Sequence, residues 1–229
     1  VVPVSDLHIE RKMQKTREQV FSMAMNAVEY AKERGLIVEL SGEDASRADL
    51  GFLKSLYAAG IEHGADRLCF CDTVGVLTPE ITSEIIPPLC IAPFSIHCHN
   101  DLGLALANTL AALKAGATCC HVTVNGLGER AGNTPFEEVV MALEHLYKMD
   151  TGIQTRKIYL FSALKGEIVE LRDAWGPFGL CEDDALSDLK NKVVEEAADI
   201  ANYAMMIADI AARWAARQEE YWQHHESTP

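Results

Sequence analysis

Five short apolar runs, each ending in a polar tip and each followed by a helix-forming stretch, constrain this chain more than any other feature. Val1–Val4 runs into Ser5-Asp-Leu-His8, Leu36–Leu40 into Ser41-Gly-Glu-Asp44, and Arg67–Cys71 into Asp72-Thr73. Phe94–Cys98 runs into His99-Asn-Asp101, and Cys119–Val124 into Asn125-Gly-Leu-Gly128. Helical spacing fills the gaps. Thr16–Arg34 is closed by Gly35, Leu50–His63 by Gly64 and Leu102–Ala115 by Gly116, while Thr78-Pro79-Glu80 opens a fourth helix and Pro135–Tyr147 reads as a fifth. Strand, helix, strand with short connections predicts an α/β fold with a parallel sheet. In such folds the working residues collect at the carboxyl ends of the strands, which is where every polar tip falls.

The richest tips belong to residues 97–133. His97-x-His99 closes an apolar run, and in a strand residues i and i+2 point to one side. Both imidazoles can then face one divalent ion. Asn100 and Asp101 follow at once, and Gly126, Gly128 and Gly132 mark a glycine loop on the neighbouring tip. Histidine pairs of this kind serve catalysis when amide or acidic partners complete the set and positions stay open for substrate.

Taken together, Ser5-Asp-Leu-His8, Glu39-Leu-Ser-Gly-Glu-Asp44 with Ala45-Ser-Arg47, Asp72-Thr-Val-Gly75, His97-Cys-His-Asn-Asp-Leu-Gly103 and Asn125-Gly-Leu-Gly-Glu-Arg-Ala-Gly-Asn133 carry a resemblance. Over residues 1–165 the chain resembles the 2-isopropylmalate synthase and homocitrate synthase family, within the metal-dependent TIM-barrel Claisen-type synthases and lyases. The resemblance implies a partial TIM (β/α)8 barrel made of strands four to eight, without the first three strands and the Arg-Asp pair of the first. Five parallel strands do not close a barrel and leave two edges open to pairing. The chain is therefore a fragment, or another chain fills the gap, or the sheet stays open. A homo-oligomer is expected.

The implied chemistry is condensation of acetyl-CoA, as co-substrate, with a 2-oxo acid on a divalent metal (Mg, Mn or Zn). The resemblance assigns His97 and His99 as ligands and Asn133 as a further ligand or holder of a bound water. Glu43 becomes the acid–base glutamate that helps enolise the acetyl group. Thr73 becomes the donor to the 2-oxo acid carboxylate, with Ser41 and His8 lining the same mouth. Glu39, where homocitrate-type members tend to carry Arg, favours a monocarboxylate such as 2-oxoisovalerate, hence 2-isopropylmalate and leucine biosynthesis. Glu129 and Arg130 are expected to pair beneath the glycine loop.

Residues 166–229 form a second unit, a helical C-terminal extension beginning near Lys165. They weakly resemble phage-type helical nucleotide pyrophosphohydrolase-like proteins. Glu196 and Asp199, at i and i+3, would form an alternative Mg site there, though a solvated acidic face is the simpler reading. A non-catalytic oligomerising module is the remaining alternative.

Bulk properties exclude several classes. A net charge of −14 over 229 residues argues against nucleic acid and anionic membrane surfaces. No apolar run is long enough for a membrane span and the N-terminus lacks a signal pattern, so a cytoplasmic protein is expected. Seven cysteines, an odd number without paired spacing, read as reduced thiols. Cys69, Cys71, Cys119 and Cys120 read as packing residues rather than ligands.

Overall fold

The computed structural model describes residues 1–153. Glu196, Asp199 and the whole expected helical extension lie outside the described residues.

Five strands form one parallel sheet in the order of the chain: β1 (Val2–Pro3), β2 (Glu39–Glu43), β3 (Arg67–Asp72), β4 (Phe94–Cys98) and β5 (Cys119–His121). The crossovers carry α1 (Asp6–His8), α2 (Arg17–Lys32), α3 (Leu50–Glu62), α4 (Pro79–Ile85) and α5 (Ala105–Lys114), and α6 (Phe136–His145) follows β5. Local chemistry sets the helix starts. Thr16 and Gln19 make a reciprocal capping box on α2, Asp49 accepts from Phe52 N on α3, and Thr78 caps α4 ahead of Pro79.

The two faces of the sheet differ sharply. Leu40, Leu68, Phe70, Phe94, Ile96, Cys98 and Cys120 point outward and are buried, joining the helices' Val28, Leu53, Leu56, Val139 and Val140 in one core. Tyr57 spans this layer: its ring meets Phe94 edge to face at 5.9 Å, and its hydroxyl donates to Cys69 O at 2.6 Å. The alternate residues face the other way. Glu39, Ser41 and Glu43 on β2, Arg67, Cys69 and Cys71 on β3, Ser95 and His97 on β4, and Cys119 and His121 on β5 line one polar and thiol-rich inner face. A closed core has no use for such a face.

Three expected boundaries are corrected. The second strand covers Glu39–Glu43 rather than residues 36–40. Leu36 and Ile37 are exposed, and Val38 N donates to the Asp66 carboxylate, which fixes the loop before the strand. The polar Ser41-Gly-Glu43 is thus the strand itself and not its tip. The fifth strand stops at His121 rather than Val124, because Val124–Gly126 closes a tight turn with Asn125 left-handed. Ser5–His8 is not a loose tip either. Ser5 caps α1, and Ile9–Met13 continues as one turn of π-helix.

Candidate metal centre and active site

Two clusters of polar side chains stand at the carboxyl edge of the sheet. The first is on β4 and β5. His97 is the next-to-last residue of β4 and His99 lies just past its end, so both imidazoles project to the inner side, with Nε2 atoms 3.4 Å apart. The glycine loop returns Asn133 against them: it bridges to His99 through the backbone, and its Nδ2 lies 3.1 Å from His97 Nε2. Rotating that amide by half a turn would present Oδ1 instead. The loop reaches this position only because it is glycine-rich. A Cβ on Gly132, whose φ is +96°, would stand 2.1 Å from Gly126 O, and one on Gly128 would collide with the Asn133 amide.

These residues fit a divalent ion. Nitrogen ligands about 2.0–2.1 Å from a metal stand roughly 3.0–3.4 Å from one another, which matches the imidazole pair. His99 is buried and its Nδ1 has no partner among the described residues. It is the nitrogen turned away from His97; with Nε2 on an ion it would carry the ring proton and need a water or other acceptor of its own. Burial, with His121 and His99 alongside, pushes His97 down to about 4, so it stays neutral and ready to coordinate at ordinary pH. Among the described residues no carboxylate or thiolate joins the pair to make a cluster of three.

The second cluster is on β1 and β2. Glu43 Oε1 accepts from Lys12 Nζ at 2.6 Å and lies 3.2 Å from His8 Nδ1. Asp44 is fully buried, accepts from the Ser5 hydroxyl, and takes a bidentate pair from Arg47, both bonds 2.8 Å long. Thr73 joins the two clusters. Its hydroxyl accepts from Asp44 N at 2.7 Å and keeps its own proton to donate, while its carbonyl accepts from Arg130. Behind it the fully buried Asp72 carboxylate accepts from Val76 N and Leu77 N, both at 3.1 Å, and so shapes the Thr73 turn.

Sequence reasoning missed three parts. Arg130 pairs chiefly with Asp101, in a bidentate contact at 2.6 and 2.8 Å; its expected partner Glu129 is a looser 3.5 Å away. Asp44 and His121 were not singled out, although both lie beside residues that were. Glu39 and Ser41 lie on the inner face of β2, Ser41 level with Cys69 and Glu39 level with Arg67. Glu39 accepts from Ser95 Oγ at 2.6 Å, from Ser41 at 3.3 Å, and meets His121 Nε2 at 3.2 Å. Burial raises its carboxyl, but His121 and Ser95 more than offset this and hold it below the usual carboxylate value.

With this geometry in view, the comparisons are informative. The HMGL-like family matches residues 1–164. The chain belongs to the HMGL-like family. Family membership brings the metal-dependent synthase and lyase chemistry into consideration at the clusters just described. An (R)-citramalate synthase of Methanocaldococcus jannaschii is 52% identical over 174 residues, covering 75% of this chain and 35% of that protein. A Methanosphaerula palustris protein provisionally given the same name is 71% identical over 165 residues, covering 72% of this chain and 33% of its own length. The chain thus spans about a third of the curated relatives it matches. Among solved structures, hydroxymethylglutaryl-CoA lyase from Pseudomonas aeruginosa superposes with a TM-score of 0.63 at 19% identity, covering 83% of this chain and 66% of that one. That likeness establishes the fold. No helix among the described residues is long and apolar enough to cross a membrane.

Proposed function

We propose that this HMGL-like chain contributes the metal-and-base half of an active site that condenses acetyl-CoA with a 2-oxo acid. The observation that carries the reading is the convergence of His97, His99 and Asn133 on one point at the sheet's carboxyl edge. The five strands would then be the fourth to eighth of a (β/α)8 barrel, with the unit ending near residue 165.

A divalent ion held by His97 and His99, with Asn133 beside it, supplies Lewis-acid polarisation of the keto group. The chain's own residues do the rest. Thr73 Oγ1 donates to the 2-oxo acid carboxylate while its acceptor side stays bound to Asp44 N. Glu43 accepts a proton from the acetyl methyl group, and His8, 3.2 Å away, is placed to carry it further. The acetyl carbon then bonds to the keto carbon, the new alkoxide is protonated, and water cleaves the thioester to release CoA.

Substrate size is the open choice. Glu39 favours 2-oxoisovalerate by resemblance. Its carboxylate, however, is occupied by Ser95, Ser41 and His121 below the mouth. The relatives named citramalate synthases support pyruvate, because citramalate is the skeleton formed when an acetyl methyl adds to the keto carbon of pyruvate. We therefore favour pyruvate.

The test is acetyl-CoA-dependent thiol release by the gene product isolated from its own cells, with pyruvate, 2-oxoisovalerate and 2-oxoglutarate compared under Mg2+, Mn2+ and Zn2+. The expected result is release with pyruvate foremost, abolished in His97→Ala. Release with no 2-oxo acid under any ion would sink the reading, and preference for 2-oxoisovalerate would return the substrate to the leucine branch.

A further inference from the structure

The inner face holds a second constellation, one layer below the His97–His99 pair and drawn from three different strands. Glu39 on β2, Cys69 on β3 and His121 on β5 bring a carboxylate oxygen, a thiol sulfur and a ring nitrogen within 4.8 Å of one another. We propose that these three residues form a separate binding site for a thiophilic divalent cation of the zinc type.

The chemistry of the donors selects the ion. A carboxylate, a thiolate and an imidazole make a borderline-soft mixed set, which suits Zn2+ and not the all-oxygen preference of Mg2+. Around a tetrahedral zinc, with Zn–S about 2.3 Å and Zn–N or Zn–O about 2.0–2.2 Å, neighbouring donors stand roughly 3.3–3.7 Å apart. Here His121 Nε2 is 3.2 Å from Glu39 Oε1, and His121 Nδ1 is 3.9 Å from Cys69 Sγ. The two contacts use different ring nitrogens, and with one atom from each residue the three donors lie within 4.8 Å of one another, so closing on an ion would draw them together. The surroundings are arranged for orientation. Ser95 donates to Glu39 Oε2 and Arg67 lies 4.0 Å from the same oxygen, which leaves Oε1 turned toward His121. A fourth position stays open for water or for Cys71, whose sulfur is 3.8 Å from Cys69.

The thiol faces the polar inner side of the sheet beside Glu39 and His121, not the apolar core. Cys69 is fully buried, and its sulfur lies at 3.8 to 3.9 Å from Phe70 O, Cys71 Sγ and His121 Nδ1. Without an ion, burial beside Cys71 and Glu39 keeps the thiol protonated, the hydrogen bond to Cys71 being the largest cause. An ion would displace that proton. Joining β2, β3 and β5 at one point would tie together strands that are not all adjacent in the sheet. The site shares only a wall with the catalytic pair, through the 5.5 Å ring contact of His121 with His97. It does not depend on the condensing activity.

Cobalt titration of the full 229-residue chain under a phosphine reductant tests this. Thiolate ligation gives a near-ultraviolet sulfur-to-cobalt charge-transfer band that the nitrogen and oxygen donors of the His97–His99 site cannot produce. The expected result is a saturable band in the wild-type chain and in His97→Ala, its loss in Cys69→Ser, and a fall from two bound ions per chain to one in each variant. Absence of the band from the wild-type chain, or its persistence in Cys69→Ser, would overturn the proposal. Glu39→Gln is the second variant, for use if Cys69→Ser does not fold: it should weaken cobalt binding at least about tenfold while keeping the thiol. The catalytic reading fails separately, if His97→Ala loses no bound ion.

Discussion

The two clusters at the carboxyl edge are built on opposite terms. Around β1 and β2, Asp44 has Ser5 and Arg47, and Glu43 has Lys12 and His8. Around β4 and β5, two imidazoles face each other 3.4 Å apart without a carboxylate, and the buried His99 Nδ1 has no partner among the described residues. In the first cluster the two carboxylates are satisfied by the chain itself, while the buried His8 Nδ1, 3.2 Å from Glu43, makes no hydrogen bond among the described residues. The other is left to be completed by something the chain does not contain. Carboxylates paired within the chain contribute to stability, and imidazoles without a carboxylate partner remain able to take a ligand. Substitutions in the two clusters should therefore fail in different assays.

The largest separation concerns metal affinity. Removing a partner that merely orients a ligand typically costs tenfold to a hundredfold, and removing a direct ligand should cost at least about a hundredfold. His97→Ala is expected to lose that much Mn2+ or Zn2+ affinity at the upper site, measured by calorimetry, with an unfolding midpoint equal to or above that of the parent chain. Glu43→Gln is expected to leave the affinity within a few-fold. Equal losses in the two variants would mean that the clusters form a single site.

The converse holds for stability. Asp44→Ala strips Arg47 and the buried Ser5 hydroxyl of their common acceptor. Removing one partner of a buried charge pair costs about 3–5 kcal/mol, and Arg47's partial exposure puts the expected loss near the lower end, about 3 kcal/mol, in urea unfolding. Metal affinity of the surviving folded fraction should change little. A stable Asp44→Ala chain with lost metal binding would invert the assignment of the two clusters.

Acid should expose the incomplete cluster. Burial holds His97 at about 4 in the folded chain, against about 6.5 when unfolded. The unfolded chain thus binds the extra proton first. The contribution of a neutral His97 is fully present above pH 6.5 and is lost as the pH falls toward 4. The ceiling for one such group is about 3 kcal/mol. Unfolding of the metal-free chain measured from pH 7 to 4.5 should show this slope, and His97→Ala should flatten it. A slope unchanged in the variant would assign the acid sensitivity elsewhere.

The fold was largely legible because alternation and capping are local. Thr16 and Thr78 open their helices where the sequence places them, and Asp49, not read from the sequence, caps the helix that was expected from Leu50. Strand ends were less legible. Leu36 and Ile37 look like strand residues by hydropathy, yet both are exposed, and the Asp66 carboxylate, 28 positions from Val38, accepts from Val38 N and fixes the loop beside them. The histidine pair was legible because i and i+2 in a strand share a face whatever the tertiary context. The Glu39–Cys69–His121 group was not, because its members are spread over 82 positions and meet only through sheet register. One signal was available. Polar or thiol residues recur at every second position of β2, β3, β4 and β5, a pattern that a purely structural sheet face would fill with apolar residues.

The smallest expected effect tests how the glycine loop is held over the site. Arg130 lies at the loop's exposed end, with φ at +56°, and bonds both Asp101 and Thr73 O. Exposed ion pairs contribute little, so Arg130→Ala should cost less than about 1 kcal/mol of stability. A modest stability effect does not imply a modest functional one. Thr73 belongs to the satisfied side and Asn133 to the incomplete side, and Arg130 sits in the loop that delivers Asn133 while its guanidinium holds Thr73. Loosening that contact should weaken metal binding about threefold to tenfold and leave the β1–β2 cluster untouched. Arg130→Lys keeps the charge but not the two-pronged geometry, so it should recover only part of the affinity. Full recovery with lysine would mean that charge alone holds the loop, and no loss with alanine would mean that the glycine turns position Asn133 unaided.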